Sequence, residues 1–134
     1  MTAIDTSVAV AALTAWHESH DAARRAAVGA SIPAHARLEV YSVLTRLPRP
    51  HRLDAEIAGE VILRWFPPAR TIIASKRLSG SIVERCLAAG IEGRAVYDAL
   101  VGATASEAGD VLRTRDRRAA ITYERLGISF EMIG

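Results

Sequence analysis

The sequence predicts an α/β domain built on a short, mainly parallel central sheet flanked by helices. Two observations predict it. Short apolar runs alternate with longer stretches of helical spacing, and such alternation builds βα units whose strands run parallel. Half of the 134 residues are apolar while only 5% are aromatic. Alanine and branched aliphatic side chains therefore carry the burial, which suits close helix packing. At this length the chain is expected to form a single domain, residues 1–134, with a core of its own.

The first element is the apolar run Thr2–Asp5, a strand. Thr6–Trp16 reads as a helix capped by Thr6 or Ser7, and His17–Val28 as a second helix with a polar face. Ala30–His35 is a brief strand. Ala36–Leu47 carries Leu38, Tyr41, Leu44 and Leu47 at helical spacing. Pro48 and Pro50 punctuate the chain after this helix. Asp54 caps a helix over Ala55–Phe66, and Pro67 and Pro68 mark a second break. Arg70–Ser75 is expected to be a buried strand. Ser79–Gly90 reads as a capped helix stopped by its glycine, and Gly93–Gly109 as a helix rich in small residues. Asp110–Thr114 is a strand, Asp116–Gly127 a helix, and Ile128–Ile133 a last strand.

The net charge is +2, from 17 basic and 15 acidic residues. That balance is too even to read as a nucleic-acid coat by electrostatics alone. Every basic residue except Lys76 is arginine. The bias fits a GC-rich genome and also supplies bidentate phosphate binders. Cys86 is the single cysteine, so no internal disulfide forms, which fits a reducing cytosol. The N-terminus has no basic leader and carries Asp5, unlike a secretory signal. No apolar run reaches the roughly 18 residues of a membrane helix. A cytoplasmic protein without membrane segments is expected.

Asp5 and Asp116 close or follow strands, at the carboxyl edge where open parallel sheets gather ligands. Thr114 shares a strand face with Asp116 if the strand continues that far. Glu39 and Asp98 stand early in helices, where the dipole favours an acid. Asp98 is followed at helical spacing by Gly102 and Ala105. A face of small residues packs closely, and a carboxylate there is costly unless paired or bound to metal. Taken singly, each residue has an ordinary reading. A strand-end aspartate before a helix is commonly a cap. Glu39 could lie on a solvated face, and Thr114 could be a plain strand residue. His17 and His20 read as surface residues of a polar helix, and Cys86 has no CxxC or CxxH companion. Zinc is therefore poorly served.

Taken together and in order, "AIDTSVAVAAL", "ARLEVYSVLTRL", "AVYDALVGATASEAG" and "VLRTRDRRAAITYERLGI" resemble the PIN-domain family. Within it they resemble the VapC-type ribonuclease toxins of bacterial toxin–antitoxin pairs. The resemblance covers nearly the whole chain and implies a three-layer α/β/α PIN-like domain. Asp5, Glu39, Asp98 and Asp116 fall on the family's acids, and Thr114 on its hydroxyl position. The activity implied is cleavage of single-stranded or loop RNA dependent on Mg²⁺ or Mn²⁺, leaving 5′-phosphate and 3′-hydroxyl ends. Asp5, Asp98 and Asp116 would be metal ligands, directly or through water. Glu39 would bind the metal or orient the water, and Thr114 would hydrogen-bond an acid or the metal's water. The physics agrees, because several carboxylates cannot all ionise in one cleft without a cation. Oxygen-only ligands suit a hard cation.

Arg46, Arg113, Arg115, Arg117 and Arg118 are candidates for RNA phosphate contacts, since a carboxylate cleft repels RNA unless basic residues flank it. Arg117 and Arg118 also fit a plain reading as solvated residues opening a helix. The resemblance further implies a cognate antitoxin and a homodimer. Leu13, Trp16, Tyr41 and Leu44 would either fill the core or line a groove for an antitoxin helix. Other phosphate chemistries fit less well. A haloacid-dehalogenase-type site needs an aspartate where Ser7 stands, and a phospho-receiver needs an early acidic pair. No GxGxxG or Walker-type loop is present. A degenerate PIN-like RNA-binding or scaffold module is the remaining alternative, and the intact set of acids counts against it.

Overall fold

In the computed structural model, which describes all 134 residues, β1 (Thr2–Ile4) occupies the middle of the sheet. β4 (Val111–Thr114) pairs parallel to it with Ala3 opposite Leu112, and β5 (Phe130–Met132) pairs parallel to β4. On the other side, β2 (Ile32–Pro33) pairs parallel with β3 (Thr71–Ile72). A parallel bridge from Ala3 to Ser31 stitches this pair to β1. The Ile4 amide donates to the Ser31 carbonyl at 2.9 Å, and the Ser31 amide to the Thr2 carbonyl at 3.0 Å. The strand order is therefore β3-β2-β1-β4-β5, parallel throughout. Ala3, Ile4, Ile32 and Leu112 are fully buried, as expected where helices cover a parallel sheet.

Seven helices surround it: α1 (Thr6–Leu13), α2 (His20–Ala27), α3 (Ala34–Arg46), α4 (Ala55–Trp65), α5 (Lys76–Ala89), α6 (Ala95–Glu107) and α7 (Arg117–Arg125). Their inner faces are largely alanine. Ala9 and Ala11 of α1, Ala23 and Ala27 of α2, and Ala99 and Ala105 of α6 are fully buried. Small side chains let helix axes approach closely, and Val8, Val40, Leu44, Phe66 and Tyr123 fill the remaining space. No helix is long and apolar enough to cross a membrane.

Several boundaries differ from the sequence expectation: the second helix starts at His20 rather than His17, the second strand is only Ile32–Pro33, and the helix after it starts at Ala34 rather than Ala36. α1 stops at Leu13 rather than Trp16. Thr14 turns extended, and its hydroxyl donates to the Val10 carbonyl at 2.8 Å, so local bonding ends the helix. The strand expected over Arg70–Ser75 is only Thr71–Ile72, and Ile73 is 78% exposed. β3 is an edge strand whose partner stops at Pro33, where the helix α3 begins. The next helix, α5, starts earlier than Ser79, because the Ser75 hydroxyl caps it by accepting from the Leu78 amide at 3.0 Å. Its end is as expected, with Gly90 left-handed at φ +70°.

Candidate active site

The parallel pairing of β1 with β4 decides where the site forms. Both strands point the same way, so their carboxyl ends place Asp5 beside the Thr114–Asp116 segment. The first turn of α6 brings Asp98, and α3 brings Glu39. Asp5, Glu39, Asp98 and Asp116, one from each of four distant parts of the chain, line a single cavity of about 300 Å³. Ser7, His17, Arg115 and Tyr123 complete much of its wall.

Asp5 is buried and, in place of the expected Thr6 or Ser7, caps α1. Its Oδ1 accepts from the Ser7 amide at 3.0 Å, the Ser7 hydroxyl at 2.6 Å and the Val8 amide at 3.3 Å. Its Oδ2 accepts from the Tyr123 hydroxyl at 2.9 Å. Burial raises the pKa of Asp5 above the ordinary aspartate value, and hydrogen bonds from Ser7, Thr114, Tyr123 and Val8 oppose that rise. Asp116 caps α7 in the same manner. Its Oδ1 accepts from the Arg118 amide at 2.9 Å and the Ala119 amide at 3.4 Å. Each aspartate is thus both a helix cap and a wall of the cavity.

Asp98 is half-buried, with its pKa pushed up to about 6. Burial is the main cause, and the charges of Asp116, Glu39 and Asp5 add to it. Glu39 is raised chiefly by burial, against the pull of His35. His35 Nε2 stands 3.2 Å from Glu39 Oε1, and its ring stacks on Tyr97 at 5.3 Å. The small-residue face behind Asp98 packs closely, as expected, with Gly102 and Ala105 buried.

Thr114 is fully buried and does not border the cavity. β4 ends at Thr114, so the expected shared strand face does not reach Asp116. A hydrogen bond ties the two instead: the Asp116 amide donates to Thr114 Oγ1 at 3.0 Å. The Ser7 hydroxyl lies 3.5 Å from Thr114 Oγ1 and accepts from the Arg115 amide at 2.9 Å. Ser7 therefore couples the Asp5 loop to the Asp116 loop.

The candidate arginines separate. Arg115 lines the cavity, and its Nε is buried without a hydrogen-bond partner. Arg117 and Arg118 are exposed on the first turn of α7. Arg46 is exposed on α3, with Nε 3.3 Å from Ser42 Oγ. The structure does not bring Arg113 to the site. Its Nε pairs with Glu131 at 2.6 Å and its Nη1 donates to the Ala26 carbonyl at 2.9 Å, because its place on β4 turns it toward β5.

Sequence reasoning missed Tyr123 and misplaced His17. Tyr123 could have been found at the inward spacing Ala119, Ala120, Tyr123 of α7. His17 lies in the turn after α1 and faces the cavity, not on a polar helix. Its Nδ1 accepts from the Ser19 amide at 3.0 Å, and its pKa is lowered by burial and by Arg115. Of the groove candidates, Leu44 belongs to the core, whereas Trp16 and Tyr41 are exposed.

The donor set fits a hard divalent cation as an incomplete cage. No three acidic, histidine or cysteine side chains are arranged to enclose an ion by themselves. Mg²⁺ ordinarily keeps several waters and takes only one or two carboxylates, and a bound cation would offset the like charges of Asp116, Glu39 and Asp5 that help to raise the pKa of Asp98.

Residues 2–125 match the PIN domain family, and the chain belongs to it. It is 44% identical over 134 residues to Ribonuclease VapC40 of Mycobacterium tuberculosis, covering 99% of both chains, which places it among the VapC-type ribonuclease toxins. Among solved structures it is similar to FitAB bound to the IR36 DNA fragment, with a TM-score of 0.72, 16% identity and coverage of 98% of this chain and 94% of that one. It is also similar to Mycobacterium tuberculosis VapC20, a sarcin-ricin loop cleaving toxin, with a TM-score of 0.64, 18% identity and coverage of 90% and 94%.

Proposed function

We propose that this chain is the toxin of a toxin–antitoxin pair, an endoribonuclease dependent on Mg²⁺ or Mn²⁺ and restrained by a cognate antitoxin. The observation that carries the reading is the convergence of Asp5, Glu39, Asp98 and Asp116 on one cavity. The full-length likeness to a named ribonuclease supports the substrate class.

Asp5, Asp98 and Asp116 are the proposed ligands, directly or through water. Such a cation, when bound, acidifies a water and offsets charge on the phosphate. Glu39 lines the same cavity, with His35 Nε2 3.2 Å from its Oε1, and would orient water and accept its proton. Water attacks phosphorus and the P–O3′ bond breaks, leaving a 5′-phosphate. The departing oxygen takes a proton and becomes the 3′-hydroxyl. Arg115, which lines the cavity, is the proposed phosphate contact, joined by Arg117, Arg118 and Arg46 along the RNA. Thr114 holds the Asp116 loop in place. A homodimer is proposed by resemblance to the family.

The test is cleavage of end-labelled single-stranded RNA in Mg²⁺ or Mn²⁺. Wild type should cleave, EDTA should stop it, and Asp98→Asn and Asp5→Ala should be inactive but folded. Full activity in either variant would sink the assignment. Inhibition by a candidate antitoxin co-expressed with the chain tests the partner.

A further inference from the structure

Tyr123 is fully buried on α7, and its hydroxyl donates to Asp5 Oδ2 at 2.9 Å. The other oxygen, Oδ1, is crowded by the Ser7 amide, the Ser7 hydroxyl and the Val8 amide. A carboxylate has about four acceptor positions, two on each oxygen. Oδ1 is therefore spent on α1, while Oδ2 keeps one position beside the bond from Tyr123. The carboxylate is gripped from two sides, by the start of α1 and by a helix 118 residues away in sequence. It cannot rotate without breaking a bond on one of them.

Gly102 explains how the ring reaches. It lies on α6 one turn after Asp98, with ordinary helical backbone. Glycine is disfavoured inside a helix, so its place here has a packing reason. A Cβ at Gly102 would stand 2.8 Å from Tyr123 Cδ1, 3.0 Å from Tyr123 Cε1 and 2.7 Å from Ile128 Cδ1. The α6 face that presents Asp98 to the cavity thus also makes room for the ring that holds Asp5. Partners that orient a metal-binding carboxylate commonly matter as much as ligands do.

We propose that Tyr123, seated against Gly102, is a positioning residue that fixes the orientation of Asp5 toward a divalent cation. The proposal rests on the metal-dependent reading of this site. A purely structural tyrosine would contribute to folding and leave cation binding untouched, so the two roles separate on measurement.

The experiment titrates Mn²⁺ into the full chain and follows free Mn²⁺ by electron paramagnetic resonance, with thermal melts in EDTA reporting the fold. Tyr123→Phe should fold and bind Mn²⁺ about tenfold or more weakly, the usual cost of losing such a partner. Gly102→Ala should displace the ring and also weaken Mn²⁺. In the Tyr123→Phe background it should weaken Mn²⁺ no further, the non-additivity of residues acting through one another. Asp98→Asn is the control for the metal site itself. If it loses Mn²⁺ while Tyr123→Phe binds like wild type, the positioning role is overturned and the metal reading stands. If wild type binds no Mn²⁺, both are overturned. Equal losses from Gly102→Ala with and without the tyrosine hydroxyl would overturn the seat at Gly102.

Discussion

Replacing Asp98 by asparagine should stabilise the metal-free protein while destroying its activity. The folded-state pKa is about 6 against an ordinary value of 3.8. The folded chain therefore binds a proton on Asp98 that the unfolded chain releases, in the window between these values. Stability from this group is fully present below the unfolded pKa and is lost as pH rises through the folded one. At neutral pH the charge is a net cost, since burial and the charges of Asp116, Glu39 and Asp5 all oppose it. A shift of this size corresponds to at most about 3 kcal/mol, and partial hydration of the side chain reduces it to roughly 1–2 kcal/mol. For a chain of this length that is on the order of 5 °C in melting temperature. The assay is a set of thermal melts in EDTA near pH 7.5 and near pH 5.5. Wild type should melt higher at the acid end, and Asp98→Asn should melt higher than wild type at the basic end with a flatter pH response. RNA cleavage should be absent in the variant at both. A variant that melts lower than wild type in EDTA at the basic end, or that keeps the wild-type pH slope, would refute the reasoning.

Mn²⁺ should raise the melting temperature of wild type, and more so near pH 7.5 than near pH 5.5, because protons compete for the same carboxylates. Equal increments at both values would argue for binding elsewhere. Ser7→Ala should destabilise the fold by about 1–3 kcal/mol in chemical denaturation, since it removes a donor to Asp5 and strands the Arg115 amide. Arg115→Gln should weaken binding of uncleaved single-stranded RNA and lower the salt dependence of its logarithmic affinity by about one unit. Arg113→Gln should leave that slope alone and instead cost about 1 kcal/mol of stability, because it breaks the contacts to Glu131 and Ala26. Anisotropy titrations across a salt series, paired with melts, distinguish the two arginines.

The strand–helix alternation was legible because it depends on periodicity, which is local. Thr2–Ile4, Val111–Thr114 and the helix carrying Asp98 came out close to their expected bounds. Where expectation failed, a partner or a cap decided. Ile72 and Ile73 look alike in sequence, yet only Ile72 has a strand neighbour, in Pro33. Trp16 and His17 continue a helical-looking pattern, but Thr14 ends α1 before them. Arg113 and Arg115 are both basic residues beside a strand end. The first is paired by Glu131, a residue that only the β4–β5 register brings alongside.

The acids show why local and functional readings need not compete. Read alone, Asp5 and Asp116 were ordinary caps, and the structure keeps them as caps. Capping draws on Oδ1 in both residues, through backbone amides of α1 and α7. This fixes the direction of the remaining oxygen, which a freely rotating carboxylate could not do. The helix starts therefore orient carboxylates that like-charge repulsion would otherwise turn apart. Pattern recognition located the acids, but the orientation depends on groups that carry no acid signature. Ser7 bridges two loops, and Tyr123 reaches Asp5 only because Gly102 lacks a side chain. Such contacts link residues about a hundred positions apart, which no single-chain periodicity encodes.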